Sequence, residues 1–184
     1  MSGASAPSLL DTDARWMREA LKLAREARAE GEVPVGAVVV AGGRLLGKGK
    51  NQIETLGDPT AHAEILAIGA AATAAGEPRL IGATLYTTLE PCVMCAGAIV
   101  LARIARVVYA SDDPKAGACG SVYDIPRDPR LNHRSVVVGG LLAAESSFLL
   151  RSFFDALRQS ASDSPPGGGA GQELKGGAPS NEPA

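Results

Sequence analysis

His62-Ala63-Glu64 and Pro91-Cys92-Val93-Met94-Cys95 are the two segments from which the rest of the 184-residue sequence can be interpreted. Together they supply one imidazole and two thiols, a ligand set that suits a zinc ion with a fourth position left open. Three protein ligands with one open position are typical of catalytic zinc, whereas a structural site needs four ligands. The sequence therefore predicts one Zn²⁺ ion per chain, bound by His62, Cys92 and Cys95.

Both segments are predicted to lie at the start of a helix. The helix-forming run 61–72 places the imidazole and the carboxylate at a helix N-terminus, where both can lean towards one ion. The second run begins at Pro91 and ends at Leu101, and its two thiols share a helix face because they are three residues apart. The positive ends of the two helices would favour ionised thiols.

Other interpretations of the cysteine pair explain less of the pattern. A redox dithiol would leave His62 and Glu64 without a role. A structural zinc site would need a fourth Cys or His at ligand spacing, and the sequence has none. A core histidine would be the ordinary interpretation of His62 in isolation, but not beside the cysteine pair.

Composition is typical of one globular domain, with 46% hydrophobic and 21% charged residues. The first ten residues lack the basic start and apolar core of a secretory signal. The apolar stretches fall short of the roughly 20 residues that cross a bilayer. Three cysteines, an odd number, argue against a disulfide framework. We therefore expect a cytoplasmic protein that does not associate with membranes.

The formal net charge of −2 does not indicate a nucleic-acid-binding protein. However, the charges are distributed unevenly. Residues 51–102 contain one basic and five acidic residues, whereas residues 103–158 contain eight basic and six acidic ones. The second segment could form a basic rim around the site, although a solvated surface gives the same pattern.

Apolar periodicity and turn residues predict an alternation of helices and strands. The first helix starts at one of three N-cap candidates, Asp11, Thr12 or Asp13, and ends at Gly31. A hairpin turn is predicted at Gly42-Gly43. The predicted strands are 33–40, 44–50, 83–88, 106–110 and 136–138, and the later helices are 61–76, 92–101 and 143–158. This alternation indicates an α/β protein with three layers, α/β/α.

The predicted domain covers residues 11–159. Residues 1–10 are small and polar, so we expect a flexible N-terminus. Residues 160–184 are expected to be a disordered tail, because 161–184 contain ten Pro or Gly residues and no aromatic residue. Inside the domain, residues 52–60 are predicted to be a loop. Residues 112–134 form a longer one, rich in Gly, Pro, Asp and Arg, and such long loops tend to be functional.

Five segments of the sequence carry a family resemblance. They are VPVGAV at 33–38, DPTAHAEI at 58–65, TLEPCVMCAGA at 88–98, KAGACGS at 115–121 and LNHR at 131–134. In this order and without large gaps, they resemble the bacterial tRNA-specific adenosine deaminases of the zinc-dependent cytidine/deoxycytidylate deaminase superfamily. The His-x-Glu and Pro-Cys-x-x-Cys pattern alone is typical of zinc deaminases in general, and the flanking segments narrow the resemblance to the tRNA enzymes. It covers roughly residues 13–158.

The resemblance implies a cytidine-deaminase-like fold with a mixed central sheet, a homodimer, and hydrolysis of the wobble adenosine of a tRNA anticodon to inosine. It implies no redox or nucleotide cofactor. By position, His62, Cys92 and Cys95 match the zinc ligands, and Glu64 matches the proton shuttle. Asn51 matches an asparagine beside the flipped base. The candidate substrate-binding residues are Asn51, Val35, Pro91 and Phe153.

The residues themselves suit this chemistry. Zinc lowers the pKa of a water molecule from about 16 to roughly 7, and Glu64 can take its proton and return it to the base. Asn51 offers a donor and an acceptor to a purine edge, although a turn asparagine after a strand has the same sequence context. Phe153 and Phe154 could line a nucleotide path or simply pack in the core. Cys119 is assigned no chemistry.

Two other functions compete with tRNA deamination. A zinc-dependent deaminase of a free nucleobase or nucleoside, such as guanine or cytosine, would share the zinc site. It would not need the 112–134 loop or a basic C-terminal helix. A non-catalytic zinc-binding module is the third hypothesis, and Glu64, which binds no metal, argues against it.

Overall fold

A five-stranded sheet with helices on both faces forms the centre of the protein. The computed structural model describes residues 8–162. The helices are α1 (Leu9–Ala29), α2 (Ile53–Leu56), α3 (Ala63–Ala75), α4 (Val93–Leu101) and α5 (Ala143–Ser162). The strands are β1 (Gly36–Ala41), β2 (Arg44–Lys50), β3 (Thr84–Leu89), β4 (Arg106–Ser111) and β5 (Val136–Val138). A single 3₁₀ turn, Ile125–Arg127, lies between β4 and β5.

The strand order is β2-β1-β3-β4-β5. β1 pairs antiparallel with β2 and β3, whereas β3, β4 and β5 are parallel, so the sheet is mixed as predicted. Gly42 and Gly43 join β1 to β2 and have φ angles of +55° and +74°. Positive φ at both positions is what a tight hairpin turn of the favoured twist requires, and glycine adopts it without steric cost.

Alternate side chains of the strands enter two separate cores. Ala37, Val39, Leu85 and Val107 pack against α3 and α4, whereas Val38, Val40, Tyr86 and Val108 pack against α1. α5 contacts α1 on that second face. This alternation follows from the two-residue period of a strand and produces the predicted three α/β/α layers.

Two glycines of β2 bring α3 unusually close to the sheet. A Cβ atom at Gly47 or at Gly49 would lie 2.3 Å from a main-chain oxygen of α3, that of Ala67 or Ala63 respectively. Any larger residue would therefore push the helix away from the strand. The close approach sets the position of the N-terminal end of α3, where His62 and Glu64 lie.

The first helix begins earlier than predicted. Ser8, not one of Asp11 to Asp13, is the N-cap, because its hydroxyl accepts the N–H of Asp11 while the Asp11 carboxylate accepts the N–H of Ser8. This reciprocal capping box satisfies two free donors at once. Residues 9 and 10 are therefore helical, and α5 continues to Ser162. Residues 1–7 and 163–184, which include most of the two predicted flexible termini, lie outside the described residues.

One further expectation differs from the structure. Residues 52–60, predicted to be a loop, contain the one-turn helix α2. In α5, Leu149 and Phe153 are buried, but Phe148 is 67% exposed and Leu157 49% exposed. The buried face of α5 therefore includes Leu149 and Phe153 but leaves Phe148 and Leu157 largely in solvent. Within residues 8–162, no helix has the length and hydropathy that a membrane span requires.

Asp13, one of the three predicted N-cap residues, forms a buried ion pair that joins α1 to the sheet. Both of its carboxylate oxygens accept hydrogen bonds from Arg106, at 2.8 and 2.6 Å, and Oδ1 also accepts the hydroxyl proton of Tyr86 at 2.7 Å. The hydrogen bond from Arg106 lowers the pKa of Asp13 despite the opposing effect of burial. The charged form is therefore stabilised in the folded state.

We expect Asp13→Asn to lower the free energy of unfolding by about 2–3 kcal/mol at pH 7, because an amide cannot neutralise the guanidinium of Arg106. Since the folded pKa is depressed, this stabilisation is complete above the unfolded value of about 3.9 and is lost as the pH falls through the folded value. Urea denaturation between pH 7 and pH 3 should show the two proteins converging at low pH. Glu19→Gln, at an exposed position of the same helix, is the control. A difference that persists unchanged at pH 3 would contradict the ion-pair explanation.

Candidate active site

His62 and Cys92 occupy equivalent positions at the starts of two helices. His62 is the N-cap of α3 and Cys92 is the N-cap of α4, both with extended backbone angles. Their carbonyl oxygens accept the first helical hydrogen bonds, from Leu66 and Ala96. Cys95 lies in the first turn of α4 and is buried. Both helix N-termini therefore present their side chains and their positive dipole ends to one place.

The three ligand candidates form a compact group. His62 Nδ1 lies 3.6 Å from Cys92 Sγ and 3.5 Å from Cys95 Sγ, and all three ligand atoms lie within 4.8 Å of one another. Typical tetrahedral zinc bonds of about 2.1 Å to nitrogen and 2.3 Å to sulfur separate such atoms by about 3.6 Å. One nitrogen and two sulfurs at these distances fit a zinc ion.

The thiols differ in their affinity for protons. A hydrogen bond from Cys95, together with one from His62, lowers the pKa of Cys92 to about 3. Cys95 is the donor to that thiolate and is buried, so its own pKa is raised. One thiolate is therefore present at neutral pH, and binding of a divalent cation would displace the second proton.

Glu64 lies beside this group and is only 3% exposed. Its Oε1 accepts a hydrogen bond from the hydroxyl of Thr87 at 3.0 Å, and its Oε2 lies 3.6 Å from Cys95 Sγ. Burial raises the pKa of Glu64, which favours the protonated form at higher pH than usual. A carboxyl group that is not a ligand candidate and faces the cavity is placed to accept and donate a proton there.

A cavity of about 210 Å³ opens onto the ligand group. Its volume is below the range of about 300–1,000 Å³ of pockets for drug-sized ligands, so it suits a single planar ring system. Its walls combine apolar side chains with charged and polar groups. The lining residues are Val33, Val35, Asn51, Ile53, His62, Glu64, Leu89, Glu90, Cys92, Asp113 and Ala116.

Asn51 lies in the cavity wall and is held by a residue that the sequence analysis missed. Its side-chain amide donates a hydrogen bond of 3.1 Å to Glu32 Oε2, and Glu32 Oε1 accepts the main-chain N–H of Thr55 at 2.7 Å. Glu32 accepts hydrogen bonds but donates none when ionised, so it determines which way the amide of Asn51 is turned. In the sequence, Glu32 follows a helix stop and gives no signal that it is buried.

The other substrate-binding candidates are distributed differently. Val35 lines the cavity, and its carbonyl accepts the main-chain N–H of Asn51. Pro91 is buried next to Cys92 but is not among the lining residues. Phe153 lines a second, adjacent cavity of about 250 Å³, which shares Asn51 with the first. There its ring meets that of Phe154 edge to face, with centroids 5.4 Å apart.

Glu90 is a second buried carboxylate that the sequence analysis did not identify, although it stands two residues before Cys92. It accepts hydrogen bonds from the segment that follows β4. Cys119 is buried in the same region, and burial raises the pKa of its thiol to about 12. The thiol therefore stays protonated at neutral pH, in keeping with the absence of an assigned role.

Comparisons with known proteins agree with this geometry. The cytidine and deoxycytidylate deaminase zinc-binding region matches residues 10–111. The tRNA-specific adenosine deaminase of Bacillus subtilis strain 168 is 46% identical over 147 residues, which are 80% of this chain and 91% of that protein. The corresponding enzyme of Haemophilus influenzae is 47% identical over 148 residues, 80% of this chain and 86% of that protein.

Solved structures show the same relationship. A structure from a study of A-to-I editing by tRNA:A34 deaminases at the wobble position has 46% identity and a TM-score of 0.71, covering 74% of this chain and 99% of that one. A guanine deaminase from Nitrosomonas europaea has 27% identity and a TM-score of 0.64, covering 83% of this chain and 97% of that one. The ligand group, the fold and the extent of these matches lead to one conclusion: the chain belongs to the cytidine and deoxycytidylate deaminase family and, within it, to the tRNA-specific adenosine deaminases.

Proposed function

We propose that the protein hydrolyses the wobble adenosine of a tRNA anticodon to inosine. One observation carries the proposal. Glu64 is buried beside the His-Cys-Cys group without belonging to it, and it faces a cavity of single-base size. A binding module for zinc would have no use for such a carboxylate, whereas a hydrolytic deaminase requires one.

His62, Cys92 and Cys95 would hold one zinc ion per chain, since their spacing and ligand types suit it. When bound, zinc lowers the pKa of a water molecule to roughly 7 and so supplies a nucleophile at neutral pH. No redox or nucleotide cofactor enters the proposed reaction.

Glu64 is the proposed proton shuttle. Water adds to C6 of the purine and ammonia leaves, so that a C6–N bond is replaced by a C6–O bond. Glu64 takes a proton from the attacking water and returns it to the ring nitrogen, and it then assists the departure of ammonia. The hydroxyl of Thr87 holds Glu64 in place for these transfers. Asn51 and Val35 would bind the edge and face of the base, and Pro91 and Phe153 are proposed to contact the nucleotide.

The proposed substrate is the anticodon stem-loop, because an unpaired loop base enters a cavity at lower cost than a paired one. Arg127, Arg130 and Arg134 are all exposed, but within residues 8–162 Arg127 and Arg130 form ion pairs with Asp124 and Asp128, whereas Arg134 forms none. Of these three arginines, Arg134 is thus the better candidate for a phosphate contact.

Incubation with a stem-loop minihelix that bears adenosine at the wobble position tests the proposal. We expect inosine in the minihelix and no turnover of free adenosine, adenine, cytosine or guanine. Deamination of a free base is the alternative function, and the higher identity to the tRNA-specific enzymes, 46% against 27% for the guanine deaminase, does not favour it. Faster turnover of any free compound than of the minihelix would favour it.

We also propose a homodimer in the cytoplasm. An exposed apolar strip on α4 includes Val93 and Leu101, the latter 78% exposed, and Leu131 lies beside a surface cavity that Leu101 also lines. A second copy of the chain is the proposed partner of this strip. Light scattering of the wild-type protein should give twice the mass of one chain. The Leu101→Arg variant should have the mass of a single chain. A monomeric wild-type protein would contradict the proposal.

Residues 11–159 are proposed to be sufficient for activity, together with the rest of α5. Truncation before Pro165 should leave the deamination rate within about twofold of the full chain, because the Pro/Gly-rich composition of the removed segment predicts no folded element. The rate and the affinity for tRNA are measured side by side for the two chains. A large loss of affinity on truncation would show that the tail takes part in RNA binding.

A further inference from the structure

Glu90 is 1% exposed, and four hydrogen bonds converge on its carboxylate. Oε2 accepts the main-chain N–H of Asp113 at 2.9 Å and the hydroxyl proton of Ser121. Oε1 accepts the main-chain N–H groups of Cys119 at 2.9 Å and of Ser121 at 3.0 Å. All four donors belong to one segment, residues 113–121, which we call the wall segment.

The wall segment forms one side of the cavity. Asp113 and Ala116 are among the residues that line it. The same segment is bonded to the start of α4: Gly117 pairs with Cys92 in an isolated β-bridge, and the N–H of Ala118 donates to the carbonyl of Pro91 at 2.8 Å. Glu90 therefore connects one wall of the cavity with the start of α4, the helix that carries Cys92 and Cys95.

Gly117 provides the space that Glu90 occupies. A Cβ atom at this position would lie 2.3 Å from Glu90 Oε2 and 2.5 Å from the main-chain oxygen of Asp113. Heavy atoms at these distances overlap, so any side chain at Gly117 would displace the carboxylate or the wall segment. Glycine here is required by packing against Glu90.

A carboxylate is the group that this set of donors needs. Three N–H groups and one hydroxyl point at Glu90, and a carboxylate can accept all four. Glutamine would turn its own N–H₂ group towards an N–H donor, and aspartate is one methylene too short to reach all of them. Loss of charge-assisted hydrogen bonds would release the wall segment.

We propose that Glu90 is a positioning residue, which holds the wall segment against the cavity and thereby determines how tightly the target nucleotide is bound. Glu90 also borders the cavity, but its carboxylate is engaged by four hydrogen bonds from the wall segment, so it acts through Asp113 and Ala116 and takes no part in the proposed proton transfers. This inference rests on the proposed function for the identity of the ligand, the anticodon stem-loop.

Two variants and two controls test the inference. Glu90→Gln removes the carboxylate, and Gly117→Ala displaces it without changing its charge. Glu77→Gln, at an exposed glutamate, and Gly69→Ala, where a Cβ meets open space, are the matched controls. Stem-loop affinity by fluorescence anisotropy should weaken by at least about tenfold in both variants and remain unchanged in the controls. Zinc content should stay near one ion per chain. Single-turnover rates at saturating stem-loop should change far less than affinity.

Hydrogen–deuterium exchange supplies a readout that needs no substrate. In Glu90→Gln, peptides covering 113–121 should exchange faster, because at least one of the three main-chain N–H groups then faces an N–H₂ group and the others lose a charged acceptor. If Glu90→Gln exchanges faster but the wild-type protein neither binds nor deaminates the stem-loop, then the proposed function is refuted and the inference about Glu90 is not. Unchanged exchange, or unchanged affinity with zinc retained, would overturn the inference. Loss of zinc together with loss of stem-loop affinity would also overturn the inference, since Glu90 would then act on the metal site.

If both variants fail to fold, Ser121→Ala decides the question, because it removes one of the four hydrogen bonds at an exposed position. We expect its affinity for the stem-loop to weaken by about threefold with zinc retained, less than in Glu90→Gln. Wild-type affinity in this variant would then overturn the inference.

Discussion

Glu64→Ala should reduce the single-turnover rate of inosine formation by a factor of at least about 10⁴. General acid–base groups typically contribute 10²- to 10⁴-fold, and Glu64 is proposed to serve several proton transfers in succession. Because Glu64 is not one of the ligand candidates, zinc content and affinity for the stem-loop should stay close to wild type. The rate is measured with enzyme in excess, and zinc by elemental analysis.

Glu64→Gln and Glu77→Gln are the comparisons for this result. Glu64→Gln keeps the shape of the side chain and its contact with Thr87 but cannot accept and return a proton, so it should be as inactive as the alanine variant. Glu77→Gln, at an exposed position, should retain full activity. If either Glu64 variant kept more than about a tenth of the wild-type rate, the proton-shuttle role would be wrong.

Cys92→Ala should lose both the metal and all measurable turnover. Cys92 is the ligand candidate whose pKa is lowered to about 3, so it supplies the thiolate that is already present without metal. Two remaining ligands leave an incomplete zinc site, and the metal-free protein should also unfold at lower temperature. Zinc content should fall from about one ion per chain to near zero, and melting curves should report the stability.

Cys119→Ala is the matched control, since it removes a buried thiol of the same chain that lies outside the ligand group. It should keep about one zinc ion per chain and wild-type turnover, at a small cost in stability from the lost packing. A Cys92→Ala protein that keeps a full complement of zinc would show that the metal is bound elsewhere.

The three buried glutamates around the cavity differ in what surrounds them, and this separates their roles. Burial by itself raises the pKa of each. For Glu32 and Glu90, hydrogen bonds from several donors outweigh burial and lower the pKa, so both stay ionised. Glu64 has fewer such donors, and its pKa is raised. These divergent environments support the proposal that Glu64 transfers protons while Glu32 and Glu90 hold neighbouring groups in place.

Much of the fold could be predicted from local patterns. The strand and helix order, the Gly42-Gly43 turn and the three layers agree with the structure because apolar periodicity and turn residues act within a few positions of the chain. The start of α1 was predicted at one of Asp11, Thr12 and Asp13, whereas Ser8 is the cap, and only the contact with Arg106 shows that the Asp13 carboxylate is used elsewhere. Similarly, which side chains of α5 are buried depends on the elements that pack against it, and local patterns do not reveal these.

The sequence by itself determined the metal-ligand candidates and Glu64, because each needs only its own side-chain chemistry and a position at a helix start. Only the tertiary structure decided what holds the site together. Asn51 meets Glu32 across 19 residues, and Glu90 meets Asp113, Cys119 and Ser121 across 23 to 31. Hydrogen bonds of this kind depend on how strands and loops are brought together in space. No periodicity or spacing along the chain therefore reveals them, and a buried glutamate looks like a surface one until its donors are known.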